Sequence, residues 1–289
     1  AEDLPSIGYE GSAWTVAVLD TGVDADHPHF EDEFGNSRIV DEACYGTHSP
    51  VILQVESFCP DDKDSTAAGS GDDCPLSVAD CGHGTHVAGT VGSSDTTLRG
   101  VAPDVNIIAI QVFSEHNRNI SCGDGPTPCA RFFFSDLIDG LERVYDLRFR
   151  HNIAAVNLSL GGLNDRNTCD ARRSNVTQII EDLRSVNIAT IAAAGNDDER
   201  DKISIPACIS DAIAVSATDD SDNVTDFSNV SAETDLFAPG EDIDAAEPGG
   251  GITDKDGTSM AAPHVAGAWA VLRDVVSSNG MASSSSDVS

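Results

Sequence analysis

Positive charge is scarce in this sequence: 289 residues carry 16 Lys and Arg against 49 Asp and Glu, a formal net charge of -33. Only Lys63, Lys202 and Lys255 are lysines. A phosphate backbone is bound through Lys and Arg and repelled by such a field, so nucleic acid is excluded as a partner. Long apolar runs are absent as well. No stretch approaches the roughly 18 apolar residues of a membrane span, which excludes a membrane helix. The first residues, AEDLPSIG, lack the basic end and apolar core of a signal peptide, and the start at Ala1 is what a processed protein would have.

What is present describes a folded chain. Apolar residues make up 40%, with 25 Gly and 12 Pro scattered along the sequence, enough for a full core and too ordinary for a disordered or fibrous protein. Eight cysteines, several close together between Cys44 and Cys129, favour an oxidising compartment, so a secreted, extracellular protein is expected. The acidity is dominated by Asp, 36 of them against 13 Glu. It fits a hydrated surface that keeps the protein soluble, and equally a salty habitat where screening removes self-repulsion.

Apolar runs at Trp14–Leu19, Val105–Val112, Ile153–Leu158, Ile188–Ala193 and Ala212–Ala217 show little alternation, as strands covered on both faces do. Helical patterns lie between them: Leu137, Leu141, Val144 and Leu147 share one stripe, and Val176–Leu183 repeats the spacing. Alternating strands and helices predict an α/β fold with a mainly parallel central sheet and helices on both faces. Residues 41–81 are expected to be a Cys-rich loop insertion, residues 1–276 one catalytic domain, and residues 277–289 a low-complexity tail.

Three Gly-flanked segments carry reactive groups: Asp20-Thr21-Gly22 at the end of the first strand, His83-Gly84-Thr85-His86-Val87-Ala88-Gly89, and Gly257-Thr258-Ser259-Met260-Ala261-Ala262-Pro263-His264. A serine hydroxyl is a weak nucleophile until a base takes its proton, and the base needs a carboxylate to fix its tautomer. Asp, His and Ser meet that requirement. Singly, each has a plain structural explanation: a turn carboxylate, a helix-start residue, a helix cap.

Together, in the order Asp20, His83, Ser259, the segments resemble the signatures of the subtilisin-like serine peptidases. The resemblance runs from about Trp14 to Arg273 and is strongest to secreted bacterial members with a Cys-rich loop before the His. It implies a three-layer fold and a secreted endopeptidase, acting as a monomer on protein or peptide substrates with no cofactor for its chemistry, and a propeptide inhibitor preceding Ala1. It further implies that Asn196, in Ala193-Ala194-Gly195-Asn196, joins the Ser259 N–H as an oxyanion donor.

By the same resemblance, Ser159-Leu160-Gly161-Gly162 and Ala193-Ala194-Gly195 wall the pocket for the residue before the scissile bond. Small walls with no carboxylate in these segments favour large apolar or aromatic side chains, basic ones second. Ala130–Phe134 aligns loosely with the strand that pairs with bound peptide. His29 and the short loop 92–100 depart from the tight calcium site of subtilisins proper. Asp219, with main-chain oxygens of Ser210 and Ala212, is the expected structural calcium site. Short loops and the resemblance pair Cys44 with Cys59, Cys74 with Cys81, Cys122 with Cys129 and Cys169 with Cys208, while a crossed arrangement within 41–81 closes equally well. Two competing readings remain, a zinc site from Cys74, Cys81, His83 and His86 and a non-catalytic peptide binder on the same fold.

Overall fold

A computed structural model describes residues 8–123 and 125–278. In chain order the strands are β1 (Thr15–Asp20), β2 (Ile39–Cys44), β3 (Val55–Ser57), β4 (Asn106–Gln111), β5 (Phe113–His116), β6 (Cys129–Phe132), β7 (Ile153–Leu158), β8 (Gly162–Asp165), β9 (Ala189–Ala193), β10 (Ile203–Ile205), β11 (Ala212–Thr218), β12 (Leu236–Pro239), β13 (Ile243–Glu247) and β14 (Gly251–Lys255). The helices are α1 (His83–Gly92), α2 (Asn119–Cys122), α3 (Phe134–Leu147), α4 (Ser174–Ser185) and α5 (Thr258–Ser278).

Seven strands form one parallel sheet in the order β12-β11-β9-β7-β1-β4-β2. β1 shows why its sequence does not alternate. Ala17 and Leu19 pack with Leu137, Leu141, Ile180 and Leu183 of α3 and α4. Val16 and Val18, on the opposite face, pack with Val87, Val91, Ala262 and Ala266 of α1 and α5. Each face needs its own apolar residues, so the strand is apolar throughout. The result is three layers, as expected; the predicted strand Ile153–Leu158 matches β7, and the other four agree to within a residue at each end.

The edge strands β2 and β12 went unpredicted. β2 reads Ile-Val-Asp-Glu-Ala-Cys and is only half-buried over its first four residues, so it lacks the apolar run of an inner strand. Its last residues therefore belong to the sheet instead of the expected loop from 41. Beyond them, β3 joins β5 and β6 in a small antiparallel sheet. Ser277 and Ser278 continue α5, and the rest of the expected tail lies outside the described residues.

All four expected disulfides are present: Cys44–Cys59, Cys74–Cys81, Cys122–Cys129 and Cys169–Cys208. The far end of α1 is held by the buried Arg38 guanidinium, which donates to the main-chain oxygens of His29 (2.9 Å), Gly92 (2.6 Å) and Val105 (2.6 Å). Parallel strands put every carboxyl end on one edge. β1, β7 and β9 end there, and α1 and α5 begin there, so the motif residues meet without further folding.

Candidate active site

Asp20 closes β1 and is fully buried. Its Oδ1 accepts from the Thr21 N–H (2.7 Å) and faces His83 Nδ1 at 2.7 Å. Thr21 Oγ1 accepts from the Gly84 N–H (3.0 Å) and donates to the Cys81 oxygen (3.3 Å), which ties the start of α1 to the end of β1. This approach requires glycine at 84, because a Cβ there would stand 2.1 Å from the Gly22 oxygen. The Cys74–Cys81 disulfide holds the turn before His83, and the Cys74 N–H donates to the Thr21 oxygen (3.2 Å). Burial disfavours the His83 imidazolium, but the charge and hydrogen bond of Asp20 prevail, and the His83 pKa is raised above 6.5. With Nδ1 on Asp20, Nε2 is the ring nitrogen left for the cleft that His83 lines.

Ser259 is the second residue of α5. Its Oγ donates to the Ser159 oxygen (3.2 Å), Ser159 Oγ donates to the Ser259 oxygen (2.6 Å), and Asn157 Nδ2 donates to Ser159 Oγ (2.9 Å). Pro263 explains the second bond. A proline in the first turn of a helix leaves nothing unpaired, because its missing N–H would have had no partner there. Pro263 stands instead at the sixth position of Thr258–Ser278, so the Ser259 oxygen four residues back loses its helical donor. The Ser159 hydroxyl takes that place. In this resting arrangement the Ser259 hydroxyl is turned to Ser159, and His83 lines the same cleft of about 600 Å³.

Asn196 follows β9. Its Oδ1 accepts from both the Thr258 N–H (2.9 Å) and Oγ1 (2.9 Å), while Thr258 Oγ1 accepts from the Gly195 N–H (3.0 Å). Held by Oδ1, the amide keeps Nδ2 for a ligand. A Cβ at Gly257, whose φ of 151° favours glycine, would stand 3.2 Å from Asn196 Nδ2 and 3.5 Å from the Ser259 nitrogen. Two N–H donors therefore border the space that this glycine leaves open, which is the arrangement an oxyanion requires.

Ser159, Leu160, Gly161 and Gly162 line one side of the cleft, and Ala193, Gly195 and Asn196 the other. Ala194 departs from the expectation. It is fully buried in the core and does not line the cleft, although its carbonyl accepts from the Ser204 N–H (2.8 Å). Ala130, Arg131 and Phe132 of β6 also line the cleft, whereas Phe133 stacks on His116. The sequence found no carboxylate in the pocket segments, but Asp80 and Asp197 border the cleft, together with Asn164 and Ser204. Asp197 directly follows Asn196, and that adjacency was the available signal.

The expected calcium ligands are not brought together. Ser210 and Ala212 lie at the start of β11 and Asp219 just past its end, some seven residues away. At about 3.3 Å per residue the two ends are roughly 20 Å apart. Asp219 instead accepts from the Asn223 side-chain amide (3.0 Å to Oδ2) and from the Asn223 and Ser221 N–H groups (2.8 Å each to Oδ1), which lower its pKa, and Ser210 bonds Asp170. The zinc reading fails because Cys74 and Cys81 are bonded to each other, and His86 Nε2 lies against the oxygens of Ile243 (2.9 Å) and Thr253 (3.1 Å). Elsewhere, the carboxylates of Asp24, Asp72 and Asp73 come within 4.8 Å of one another. Burial, then the charges of Asp72 and Asp24, push Asp73 up to about 6.

The sequence model of the subtilase family matches residues 11–286. The intracellular serine protease of Paenibacillus polymyxa is 31% identical over 276 residues, covering 93% of this chain and 69% of that protein. Subtilisin DY of Bacillus licheniformis is 30% identical over 277 residues, covering 94% of this chain and 81% of its own. Among solved structures, a cold-adapted subtilisin-like serine proteinase superposes with a TM-score of 0.62 at 30% identity, covering 94% of this chain and 78% of that one.

Proposed function

The chain belongs to the subtilase family of serine proteases, and from that membership we propose a secreted endopeptidase of broad specificity in which Asp20, His83, Ser259 and Asn196 carry the chemistry. Ser259 Oγ attacks the scissile carbonyl carbon while its proton passes to His83 Nε2. Asp20 holds the imidazole and stabilises the imidazolium. The tetrahedral oxyanion accepts from Asn196 Nδ2 and the Ser259 N–H. As the C–N bond breaks, His83 returns the proton to the leaving amine, and water then hydrolyses the acyl-enzyme by the same route. Subtilases need no cofactor for this chemistry.

The observation that carries the reading is the 2.7 Å contact between buried Asp20 and His83 Nδ1, with Ser259 on the same cleft. The small walls at Ser159–Gly162 and Ala193–Gly195 support entry of a large apolar or aromatic side chain before the scissile bond. Four disulfides support an extracellular site of action, although the relatives include an intracellular protease. In this reading one peptidase domain spans residues 1–276, acts as a monomer, and is released from an inhibitory propeptide. The test is casein hydrolysis by Ser259→Ala, His83→Ala and the double variant. Each single change should cost about 10⁶-fold in kcat and the double change little more. Activity of Ser259→Ala equal to wild type would overturn the mechanism.

A further inference from the structure

On the edge opposite the catalytic one, where β1, β7 and β9 begin, lies a second cavity of about 230 Å³ that shares no lining residue with the peptidase cleft. Trp14, Ile153 and Ile188 line it from the strand starts, Arg148 and His151 from the end of α3, and Arg273 from α5. In a chain of net charge -33, two Arg and a His thus border one small space, and among the described residues no Asp or Glu does. Asp41, which faces His151 Nε2 at 3.4 Å, is already held by Arg143 (2.8 Å) and Arg150 (3.1 Å).

Both guanidinium groups are held by neutral partners. Arg273 is only 4% exposed, stands 5.3 Å from the centre of the Trp14 ring and donates to the Asn187 oxygen. Arg148 lies 3.6 Å from the centre of the Tyr145 ring and 3.9 Å from that of Phe149, and donates to the Tyr145 oxygen. Rings and carbonyls orient a guanidinium without neutralising it. Burial lowers the pKa of Arg273, yet an arginine starts so far above neutrality that it keeps its charge. The Trp14 indole adds a donor, since its Nε1 is buried and has no acceptor among the described residues. Ile153, Val186 and Ile188 make the rest of the wall apolar. We propose that this cavity binds a small organic carboxylate. Its oxygens meet an arginine fork and the Trp14 N–H, and its apolar body lies on the aliphatic wall. The volume, below that of sites for drug-sized ligands, restricts the ligand to a few heavy atoms.

The chain has two tryptophans, and Trp269 does not line this cavity, so the indole N–H signals in a nitrogen-15 NMR spectrum report on the site separately from the rest. Trp14→Phe assigns the two signals. The experiment titrates the full chain with sodium isobutyrate, with neutral isobutyramide and with sodium phosphate, each at the same low ionic strength. Isobutyrate should shift the Trp14 signal saturably and leave that of Trp269 in place, with a Kd on the order of 1 mM for a ligand of six heavy atoms. Molar sodium chloride should weaken it severalfold. Arg148→Gln, a change at a partly exposed position, should raise the Kd about fivefold or more. Arg273→Met should do the same, and if that variant does not fold, Arg148→Gln and the amide comparison still decide. An equal response to isobutyramide overturns the proposal, because the cavity would then be merely apolar. A response to phosphate without one to isobutyrate overturns it in favour of an inorganic oxyanion. So does a Trp14 signal that isobutyrate leaves unmoved up to about 100-fold the expected Kd, or a Kd that Arg148→Gln leaves unchanged.

Discussion

Ser159 and Ser259 hold each other by hydrogen bonds in both directions, hydroxyl to carbonyl each way, at 2.6 and 3.2 Å. The shorter bond replaces the helical donor that Pro263 cannot supply, so a residue at the end of β7 sets the first turn of α5 and with it the Ser259 N–H.

Removing that hydroxyl should therefore disturb the turn. Ser159→Ala leaves the Ser259 oxygen without its donor, an expected loss of about 1–3 kcal/mol in unfolding free energy. We predict a fall in kcat of about tenfold, with KM changed less, from the misplaced oxyanion donor. Pro263→Ala restores an N–H four residues on, and in the Ser159→Ala background it should recover part of both losses. Additive effects in the double variant would separate the two residues.

The pH dependence follows from His83. Burial lowers its pKa and Asp20 raises it by more, so the net shift is upward from 6.5. The base must be neutral to accept the Ser259 proton, so kcat/KM should rise with pH through a midpoint above 6.5 and fall away on the acid side. Asp20→Asn removes the carboxylate charge that raises the pKa, and should lower kcat about 10⁴-fold while moving the midpoint to lower pH. A pH–rate profile of both proteins checks this, and a wild-type midpoint below 6.5 would contradict the sign.

On the proposed mechanism Asn196→Leu deletes one of the two oxyanion donors and leaves the Asp20–His83 contact alone. The expected loss is about 10²–10³ in kcat with little change in KM. Steady-state kinetics on one peptide substrate suffices, and an equal loss carried by KM would place Asn196 in ground-state binding instead.

Asp73 is destabilising at neutral pH. Its folded pKa of about 6 lies above the ordinary 3.8, so the folded state favours the neutral carboxyl. The penalty is absent below pH 3.8, grows as pH rises through the window from 3.8 to about 6, and is complete above it. Asp73→Asn should raise stability by about 1 kcal/mol at pH 7.5, because a half-exposed group is screened, and by nothing near pH 4. Chemical denaturation at the two pH values is the measurement, and an equal gain at both would remove the charge explanation.

With a net charge of -33, repulsion among surface carboxylates opposes the compact state at low ionic strength. The thermal midpoint, measured after chelation, should climb between about 0.1 M and 1 M sodium chloride as the screening length falls from about 10 Å to about 3 Å. A flat or falling midpoint would leave the acidity as a solubility feature.

Asp20, His83 and Ser259 were legible because each sits in a short turn that carries its own glycine, and Gly84 and Gly257 are needed by contacts within or beside those turns. The inner strands were legible because burial on both faces writes an unbroken apolar run, as in β1. Edge strands such as β2 and β12 lie half outside the core and leave no such mark. Asp219, Ser210 and Ala212 failed as a ligand set because proximity in sequence along an extended strand becomes separation in space.

The sequence by itself determined the family, the layers and the motif residues of the candidate site, since periodicity and local turn chemistry are properties of consecutive residues. Only the tertiary structure decided which distant groups meet. Ser159 reaches the Ser259 carbonyl 100 residues away, and Asn164 and Asn229 converge on Asp197 from separate segments. These contacts depend on how the parallel strands are ordered side by side, because that order selects the loops that share the carboxyl edge, and no stretch of consecutive residues records it.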